Sequence, residues 1–435
     1  MQVTARAGKT ELMTTITHTS VRGGEATASA FDPFVNRLPA AGAKVVVAMS
    51  GGVDSSVAAA MLKEAGCEVI GVTMHLWDYD RVGGNAQFEH GCCTVEDRND
   101  ARVVAGRLGI PYYVVDFREE FERGVISNFV SEYVQGRTPN PCVACNSRVK
   151  FGVLLDRARE LGADYVATGH YARVALDGTA GRADRAGQVG DTDQADQAGQ
   201  SGRLVLKRGV DRNKDQSYAL WEMTQEELAR TAFPVGMLTK AQTREIAERL
   251  APRVAAKKDS YEICFIQDRG HERFLKEWTA SHPVNTDEGL LAIEDPIRPG
   301  PIVDTKGHVL GEHRGHPLYT IGQRKGLGLA AGRPVYVVDI LPDTNTIVVG
   351  DDEDLLSDRL IADWVNWHTV DAPAGEVRGQ AKIRYRQEAT PAVITPCEPG
   401  VVRVDFEYPQ RAVTPGQSVV FYDGETVLGG GIIRE

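Results

Sequence analysis

The feature that most constrains this chain is the run Ser50-Gly51-Gly52-Val53-Asp54-Ser55-Ser56, which lies between an apolar stretch and a helix-like one. Residues 44–49 are typical of a buried strand, and residues 57–62 are typical of a helix. Two adjacent glycines allow backbone N–H groups to converge, and a helix that starts there adds positive potential. The run therefore predicts a phosphate-binding loop. A Gly-rich turn with a Ser-Asp helix cap is the structural alternative.

The residues around this loop alternate short apolar runs with helix-like stretches. Apolar runs at 68–74, 112–117 and 164–168 are separated by helix-like runs at 97–108 and 150–161. This order is typical of a parallel sheet covered by helices. The amino-terminal half is therefore predicted to be α/β.

The pattern changes toward the carboxyl end. After about Asp268, Pro and Gly become frequent, and a hairpin is predicted from 334–340 to 346–349. Short strands separated by turn residues fill the last block. We predict a Rossmann-like parallel-sheet domain at 41–268, a small β-rich central domain at 269–352 and a C-terminal β-barrel at 353–435.

Two segments are predicted to lack structure. Residues 1–40 lack the apolar centre of a secretory signal and are expected to be a disordered extension. Residues 177–202 consist mainly of Gly, Ala, Asp and Gln and are expected to be an unstructured insertion in a hairpin. No apolar run approaches the roughly 18 residues that span a bilayer. A soluble, cytoplasmic protein with no membrane partner is expected, and seven cysteines, an odd number, agree with this.

The loop does not end in the Gly-Lys-Ser/Thr of a Walker loop. It resembles the loop of ATP pyrophosphatases, which release pyrophosphate and leave AMP on the substrate. The resemblance implies that the bound nucleotide is ATP. Asp54 is expected to help hold Mg²⁺ against the phosphates, because Mg²⁺ prefers oxygen ligands.

Three cysteines are candidates for chemistry. Cys142 and Cys145 precede a helix expected to begin near Arg148, and a thiolate close to a helix N-terminus is stabilised by the helix dipole. Cys145 is thus a candidate nucleophile, with Cys264 as a distant candidate partner. A structural zinc site would need a fourth ligand, from Cys93 or a His, and an inert, buried Cys264 is the other alternative. Sulfur chemistry is the favoured interpretation.

Further motifs follow one another in order. They are Thr138-Pro139-Asn140-Pro141 with Cys145-Asn146, Ala167-Thr168-Gly169-His170-Tyr171, Asn213-Lys214-Asp215-Gln216-Ser217-Tyr218, Lys257-Lys258-Asp259-Ser260 with Ile263-Cys264-Phe265-Ile266, and Tyr319-Thr320-Ile321-Gly322-Gln323-Arg324. Together with the phosphate loop, they make residues 44–435, apart from the insertion, resemble the bacterial tRNA-specific 2-thiouridylase family.

The resemblance implies a tRNA-uridine 2-sulfurtransferase. ATP would adenylate the 2-oxygen of the wobble uridine, and a persulfide sulfur would then displace AMP. By the same resemblance Cys264 carries the persulfide, and Cys145 is the nucleophile that helps release its sulfur and closes a transient disulfide with Cys264. The chemistry is coherent, because adenylation makes the oxygen a good leaving group and a thiolate can attack a persulfide. The expected partners are the tRNAs for Lys, Glu and Gln, and a cysteine desulfurase or sulfur-relay protein.

The resemblance also assigns binding residues. The ATP pocket is expected to include Ala48, Met49, Ser50, Gly51, Gly52, Val53, Asp54, Ser55, Met74 and Gly169. Positions near the target base are matched by Asn140, Pro141 and Cys142. Positions that contact tRNA are matched by His170, Lys214, Asp215, Gln216, Arg384, Tyr385 and Gln417.

One stretch supports an RNA partner independently of the resemblance. The net charge of −11 argues against a nonspecific nucleic-acid binder but does not exclude a local basic face. Strand alternation predicts that Lys382, Arg384 and Arg386 lie on one face, as a cationic strip suited to an RNA backbone. A solvated outer face of the barrel is the alternative.

Cys142 allows a second interpretation of the three cysteines, because some family members have Asp at this position. With Cys145 and Cys264 it could hold a [4Fe-4S] cluster with one open iron. Two rival functions also remain. One is an amide- or amidine-forming ATP pyrophosphatase, such as a tRNA lysidine synthetase or an argininosuccinate synthetase, which needs no paired cysteines. The other is a tRNA- or metal-binding module with an inactive loop.

Overall fold

The structure is a computed structural model that describes residues 35–78, 94–177, 202–257, 263–266, 270–282, 284–286, 289–291, 297–330 and 332–435. The predicted insertion and residues 1–34 of the predicted extension lie outside these ranges, apart from the insertion's first and last residues. Within the described ranges, no helix has the length and apolar character needed to cross a bilayer.

The strands are numbered in chain order. They are β1 (Lys44–Ala48), β2 (Glu68–His75), β3 (Tyr112–Asp116), β4 (Tyr165–Ala167), β5 (Ala172–Leu176), β6 (Leu204–Arg208), β7 (Thr231–Ala232), β8 (Val284–Thr286), β9 (Gly289–Leu291), β10 (Gly300–Asp304), β11 (Val309–His313), β12 (Tyr336–Leu341), β13 (Thr346–Gly350), β14 (Leu356–Trp367), β15 (Val377–Lys382), β16 (Thr390–Glu398), β17 (Val401–Arg411), β18 (Ser418–Asp423) and β19 (Thr426–Ile433).

The α-helices are numbered in the same way. They are α1 (Val53–Glu64), α2 (Val95–Leu108), α3 (Arg118–Phe121), α4 (Ser127–Val134), α5 (Pro141–Ala144), α6 (Leu154–Glu160), α7 (Gln225–Ala229), α8 (Lys240–Leu250), α9 (Pro252–Ala255) and α10 (His271–Ser281). Two π-helical segments, Glu122–Ile126 and Cys145–Val153, join α3 to α4 and α5 to α6. Short 3-10 turns lie at Ser217–Leu220, Pro234–Met237, His316–Leu318 and Glu353–Leu355.

The amino-terminal half forms a five-stranded parallel sheet in the order β3-β2-β1-β4-β7. The central strand β1 is a continuous apolar run whose three valines are fully buried, as expected for a strand covered on both faces. Because all five strands are parallel, the loop that follows β1 lies at the carboxyl edge of the sheet, where ligands of such folds bind.

A four-stranded sheet in the order β11-β10-β13-β12 forms the central region. The predicted hairpin is confirmed: β12 and β13 pair antiparallel, and Asn345 in the turn has a φ of 49°. Asn tolerates this left-handed conformation better than most residues.

The carboxyl-terminal strands form a barrel in the order β14-β17-β16-β15-β18-β19, which closes through the pairing of β14 with β19. The predicted fold class is therefore confirmed. The hairpin of β5 and β6, which flanks the predicted insertion, extends the barrel sheet because Lys207 pairs with Thr426 of β19. One hairpin of the amino-terminal half thus belongs to the same sheet as the barrel.

Two expectations from the sequence are wrong in detail. Residues 35–40 do not belong to a disordered extension: Asn36 is fully buried and donates to the carbonyl of Phe233. The cationic strip does not form, because β15 ends at Lys382, which is buried, and the chain turns at residues 383–387. Ile383 is buried as well, so the strand's alternation does not continue to Arg384 and Arg386.

Candidate active site

The phosphate loop is organised by its own side chains. The Oγ of Ser55 accepts from the backbone N of Ser50 at 3.2 Å and lies 3.2 Å from the Oγ of Ser50. The Oγ of Ser56 donates to the carbonyl of Gly52 at 2.8 Å. These bonds span at most five residues and tie the loop to the first turn of α1. The predicted strand, loop and helix are present in the required order.

Two glycines let other segments approach this loop. Gly51 has a φ of 72°, and a Cβ there would collide with the backbone of Asp97 on α2. At Gly169, after β4, a Cβ would lie 2.5 Å from the backbone N of Ser55 and 2.6 Å from the carbonyl carbon of Asp54. Gly169, predicted from family resemblance to line the ATP pocket, therefore lies against the loop.

Asp54, at the start of α1, is held by two side chains. Its carboxylate accepts from the Nζ of Lys240 at 2.7 and 2.9 Å and from the hydroxyl of Tyr171 at 2.8 Å. The carboxylate remains 31% exposed. It offers oxygen atoms at the phosphate loop, which is the ligand type that Mg²⁺ prefers. Tyr171 belongs to one of the sequence motifs, whereas Lys240 lies outside all of them.

A second lysine connects the loop to α2. The Nζ of Lys257 donates to the carbonyl of Gly51 at 3.1 Å and lies 2.7 Å from Asp97 and 2.6 Å from Asp100. Burial acts to lower the pKa of Lys257, but its bonds to Asp100 and Asp97 outweigh burial and raise it. Lys257 belongs to one of the sequence motifs, but nothing in its neighbouring residues identifies its partners.

Cys145 lies deeper in its helix than predicted. The helix begins at Pro141 rather than near Arg148, and Asn140 caps it by accepting from the backbone N of Val143. Cys145 starts the π-helical segment after the first turn and is 7% exposed, whereas Cys142 is exposed within that turn. Because the dipole effect is confined to the first turn, it acts more on Cys142 than on Cys145.

Cys145 and Cys264 share one hydrophobic cluster despite their distance in sequence. Cys145 and Ala48, the last residue of β1, are buried members of this cluster, and Met74 and Cys264 pack against it. We call it the cysteine cluster. It brings both candidate cysteines and two predicted ATP-pocket residues to one region.

The neighbour of Cys264 explains this placement. Phe265 is buried and lies edge-on to Phe121 and Phe129, at centroid distances of 5.7 and 5.2 Å. It also lies 5.3 Å from Phe274. Such aromatic contacts add to the hydrophobic stabilisation of a buried ring, so Phe265 anchors the segment that carries Cys264.

Within the described parts of the chain, no group of three or more His, Cys, Asp or Glu side chains is placed to hold a metal ion. Cys142, Cys145 and Cys264 are all described, so in this arrangement they do not form the ligand set that a [4Fe-4S] cluster needs.

Two residues matched to tRNA contacts have clear structural partners. Asp215 is buried and accepts from the backbone N of Gly209 and of Ser217, both at 3.1 Å. The Oε1 of Gln216 accepts from the backbone N of Tyr171 at 2.9 Å. Both side chains stabilise the turn that leads to Ser217, and Lys214, directly before them, is half-buried.

His170 packs between Phe151 and Phe233, with ring centroids about 6 Å from each. Burial, assisted by the charge of Lys150, holds the pKa of His170 well below its ordinary value. The ring is therefore neutral near pH 7, and its Nδ1 lies 2.7 Å from the Oγ1 of Thr168. A neutral ring can contact RNA by hydrogen bonding or stacking but not as a cation.

The remaining tRNA positions lie on or beside the barrel. Tyr385 is 41% exposed, and Lys382 places its ammonium 5.6 Å above the ring. Arg384 donates to the carbonyl of Ala412 at 2.5 Å. Gln417 is half-buried and reaches the segment before α5, where its Nε2 donates to the carbonyl of Thr138 at 2.7 Å.

The architecture defines a class of protein before any relative is considered: a phosphate-loop α/β domain joined to a small β-domain and a closed barrel. Three family models match in that order. They are the tRNA methyl transferase HUP domain at residues 43–268, the tRNA methyl transferase PRC-barrel domain at 290–351 and the aminomethyltransferase β-barrel domain at 357–433.

Comparison with curated relatives identifies the family within this class. A tRNA-specific 2-thiouridylase MnmA of Acetivibrio thermocellus is 48% identical over 391 residues, which is 90% of this chain and 99% of the relative. One of Clostridium perfringens is 49% identical over 392 residues, covering 90% and 98%. The chain belongs to the tRNA-specific 2-thiouridylase family.

A solved structure of a 4-thiouridine synthetase in complex with RNA and ATP also matches, at 16% identity over 52% of this chain and 46% of that one. Its TM-score of 0.31 is too low to support any argument.

Proposed function

We propose that this chain catalyses the ATP-dependent 2-thiolation of the wobble uridine of tRNA. The observation that carries the proposal is the cysteine cluster, which includes Cys145 and Ala48 at the end of β1 and against which Cys264 packs. Because Ala48 lies two residues before Ser50, the start of the phosphate loop, the cluster reaches the proposed nucleotide site. Family membership supports the same activity.

The phosphate loop is the site of adenylation. The uridine 2-oxygen attacks the α-phosphorus of ATP, pyrophosphate leaves, and the oxygen becomes part of an AMP leaving group. Backbone N–H groups at Gly51 and Gly52 and the start of α1 favour the polyphosphate. Asp54 is the carboxylate that the loop offers to Mg²⁺, which when bound would neutralise phosphate charge. Lys240 holds that carboxylate in place.

Sulfur transfer follows at the cysteines. A donor first leaves a sulfur atom on Cys264 as a persulfide, whose terminal sulfur attacks C2 of the adenylated uridine and expels AMP. The Cys145 thiolate then attacks the Sγ of Cys264 and breaks the bond to the transferred sulfur, which stays on C2. A disulfide between Cys145 and Cys264 results, and two electrons from a thiol reductant restore the thiols.

The [4Fe-4S] alternative has weaker support in this chain. Cys142 is exposed, Cys145 is buried, and no metal-ligating group that includes them occurs in the described ranges. We therefore derive no step through a cluster. An anaerobic preparation that lacks iron and acid-labile sulfide yet is fully active would remove this alternative.

The RNA partners follow from the same family. The proposed substrates are the tRNAs for Lys, Glu and Gln, and the sulfur donor is a cysteine desulfurase or a sulfur-relay protein. Exposed Tyr385 can stack on a base or ribose, and half-buried Lys214 can approach a phosphate. Asn140 and Cys142 stand at the first turn of α5, close to Cys145, where the target base would enter.

The decisive experiment measures both half-reactions on one tRNA. Wild-type protein receives ATP, Mg²⁺, a tRNA(Gln) transcript, and a cysteine desulfurase with cysteine. Pyrophosphate release and nucleoside mass spectrometry are followed together. We expect pyrophosphate release that requires the tRNA, and 2-thiouridine at the wobble position. A transcript with cytidine at that position is the matched control and should give neither product.

Two results would count against the proposal. Unmodified tRNA with all components present would remove the sulfurtransferase activity. Normal 2-thiouridine formation by a Cys264→Ser variant would instead remove Cys264 as the carrier of the persulfide.

A further inference from the structure

The segment that precedes the nucleophile is hydrogen-bonded to the barrel at two of its residues. Residues 135–140 connect α4 to α5, and Asn140 caps the helix that leads directly into Cys145. The position of this segment therefore sets the position of Cys145. We call residues 136–140 the nucleophile loop.

All backbone hydrogen-bonding groups of Thr138 and Pro139 have partners on the barrel. The N–H of Thr138 donates to the carbonyl of Pro415 at 2.8 Å. The Nε2 of Gln417 donates to the carbonyls of Thr138 at 2.7 Å and of Pro139 at 3.3 Å. Since Pro139 has no N–H, this completes the set for both residues.

Close packing at Gly416 reinforces these bonds. Gly416 has a φ of 87°, and a Cβ there would lie 2.9 Å from the backbone N of Thr138 and 3.0 Å from the Cβ of Arg137. The absence of a side chain lets the barrel touch the nucleophile loop backbone to backbone. Pro415, Gly416 and Gln417 together form what we call the barrel clamp.

Hydrogen bonds within the barrel hold the barrel clamp in place. Gly416 donates to the carbonyl of Ile433 on β19, and Ile433 donates in return to the carbonyl of Gln417, both at 2.8 Å. Thr414, just before the clamp, is buried and donates its hydroxyl to the carbonyl of Ala412. The same carbonyl accepts from Arg384. The clamp thus presents a preformed surface to the loop.

The other side of the nucleophile loop rests on the central domain. A Cβ at Gly136 would lie 2.6 Å from the Cγ of Pro342, and the Oγ1 of Thr138 lies 3.4 Å from that of Thr320. The loop therefore lies between the two accessory domains, and the backbone hydrogen bonds of Thr138 and Pro139 lie on the barrel side.

We propose that the barrel clamp positions the nucleophile loop, so that Gln417 is a positioning residue for Cys145 in addition to any contact with tRNA. The inference rests on the proposed function for the role of Cys145. The barrel is then a structural part of the active site, and the reactivity of Cys145 depends on it before any RNA binds.

The test compares the wild type with Gln417→Glu, which keeps the shape but cannot donate, and with Gly416→Ala. Gly400→Ala is the matched control, because Gly400 is also a barrel glycine with a φ of 75°, and a Cβ there meets nothing within 4 Å. Without ATP or tRNA, hydrogen exchange at Thr138 and iodoacetamide alkylation of Cys145 are followed by mass spectrometry. Both rates should rise about tenfold in the clamp variants but not in the control, because Gln417→Glu loses two hydrogen bonds and the new Cβ of Gly416→Ala displaces the loop.

Kinetics separate positioning from RNA contact. The clamp variants should lose about tenfold in kcat, with a much smaller change in the KM for tRNA. Unchanged exchange and alkylation in both variants, with a raised KM alone, would overturn the inference and leave Gln417 as an RNA contact only. Should Gly416→Ala fail to fold, Gln417→Glu decides by itself. A wild type that does not thiolate tRNA would sink the proposed function without altering the substrate-free measurements.

Discussion

The phosphate loop and the nucleophile loop are held in different ways. The phosphate loop is tied to α1 by hydroxyl bonds that span at most five residues, as in the bond from Ser50 to Ser55. The backbone of the nucleophile loop at Thr138 is bonded to Gln417, 279 residues away in sequence. Under the proposed function, adenylation relies on a loop whose hydroxyl bonds are local, whereas sulfur transfer relies on a loop that the barrel and the central domain contact.

The largest effect is expected from replacing either cysteine, which should stop sulfur transfer without stopping adenylation. Cys264→Ser or Cys145→Ser should lower 2-thiouridine formation at least about a thousandfold, because each removes an atom that forms or breaks a bond. Single-turnover pyrophosphate release should stay near the wild-type rate. Cys397→Ser, at an exposed position in the barrel, is the control and should change neither rate.

A smaller but still large effect is expected when the phosphate loop is disturbed. In Gly169→Ala the new Cβ would lie 2.5 Å from the backbone N of Ser55, so the loop must shift. Displacement of the phosphate-binding N–H groups should weaken ATP binding by about 2 kcal/mol, which is roughly thirtyfold. Calorimetry with ATP measures this.

Gly106→Ala provides the matched control, since a Cβ at this helical position meets nothing within 4 Å. It should leave ATP affinity unchanged. Equal affinity in Gly169→Ala would show that the phosphate loop tolerates movement and would weaken the contrast between the loops.

The bond from Lys257 to Gly51 is one of the long-range contacts of the phosphate loop, beside those of Asp54 with Lys240 and Tyr171. Lys257→Met would leave Asp100, 7% exposed at its side chain, without its shortest ion pair. We expect a loss of about 2 kcal/mol in the free energy of unfolding, measured by urea denaturation. Lys276→Met, whose ion pair with Glu272 is exposed, should cost less than about 0.5 kcal/mol.

The smallest effect concerns the joint between the ATP-binding half and the barrel. His368, just after β14, is buried and donates its Nε2–H to the carbonyl of Trp221 at 2.8 Å. Burial lowers the pKa of His368 to about 4. The unfolded chain, with an ordinary pKa near 6.5, binds the proton first, so stability is full above that pH and falls as the pH drops from about 6.5 toward 4.

Urea denaturation should therefore show a loss of about 1 kcal/mol between pH 7.5 and 6 that is attributable to His368. A His368→Gln variant can still donate to Trp221 and should show a correspondingly shallower dependence on pH. An identical pH dependence in the variant and the wild type would contradict the assignment.

Prediction from the sequence succeeded where the signal is local. The alternation of apolar and helix-like runs gave the parallel sheet, and the hairpin of β12 and β13 followed from its turn residues. It failed at the boundaries of two elements. The strand stops at Lys382 because the chain turns at residues 383–387, and the helix before Cys145 starts at Pro141 because Asn140, directly before it, is its cap.

Several site residues could not be identified from local patterns. Lys240 and Lys257 lie in ordinary polar stretches, and only their distances to Asp54 and Gly51 reveal a role. The resemblance assigns Asp215 a contact with tRNA, yet its side chain is buried and accepts hydrogen bonds from two backbone N–H groups. Its contact with tRNA stays a prediction, as do the other roles assigned by resemblance.

The sequence by itself determined the local structure of residues 50–56, since the hydroxyl bonds that tie this loop to the first turn of α1 span at most five residues. Only the tertiary structure decided that Cys145 and Cys264 share a cluster and that the barrel fixes the nucleophile loop. The physical reason is the distance along the sequence between the residues that make contact. Local hydrogen bonds follow from neighbouring residues, whereas burial and backbone contacts between domains depend on which surfaces meet when the whole chain folds.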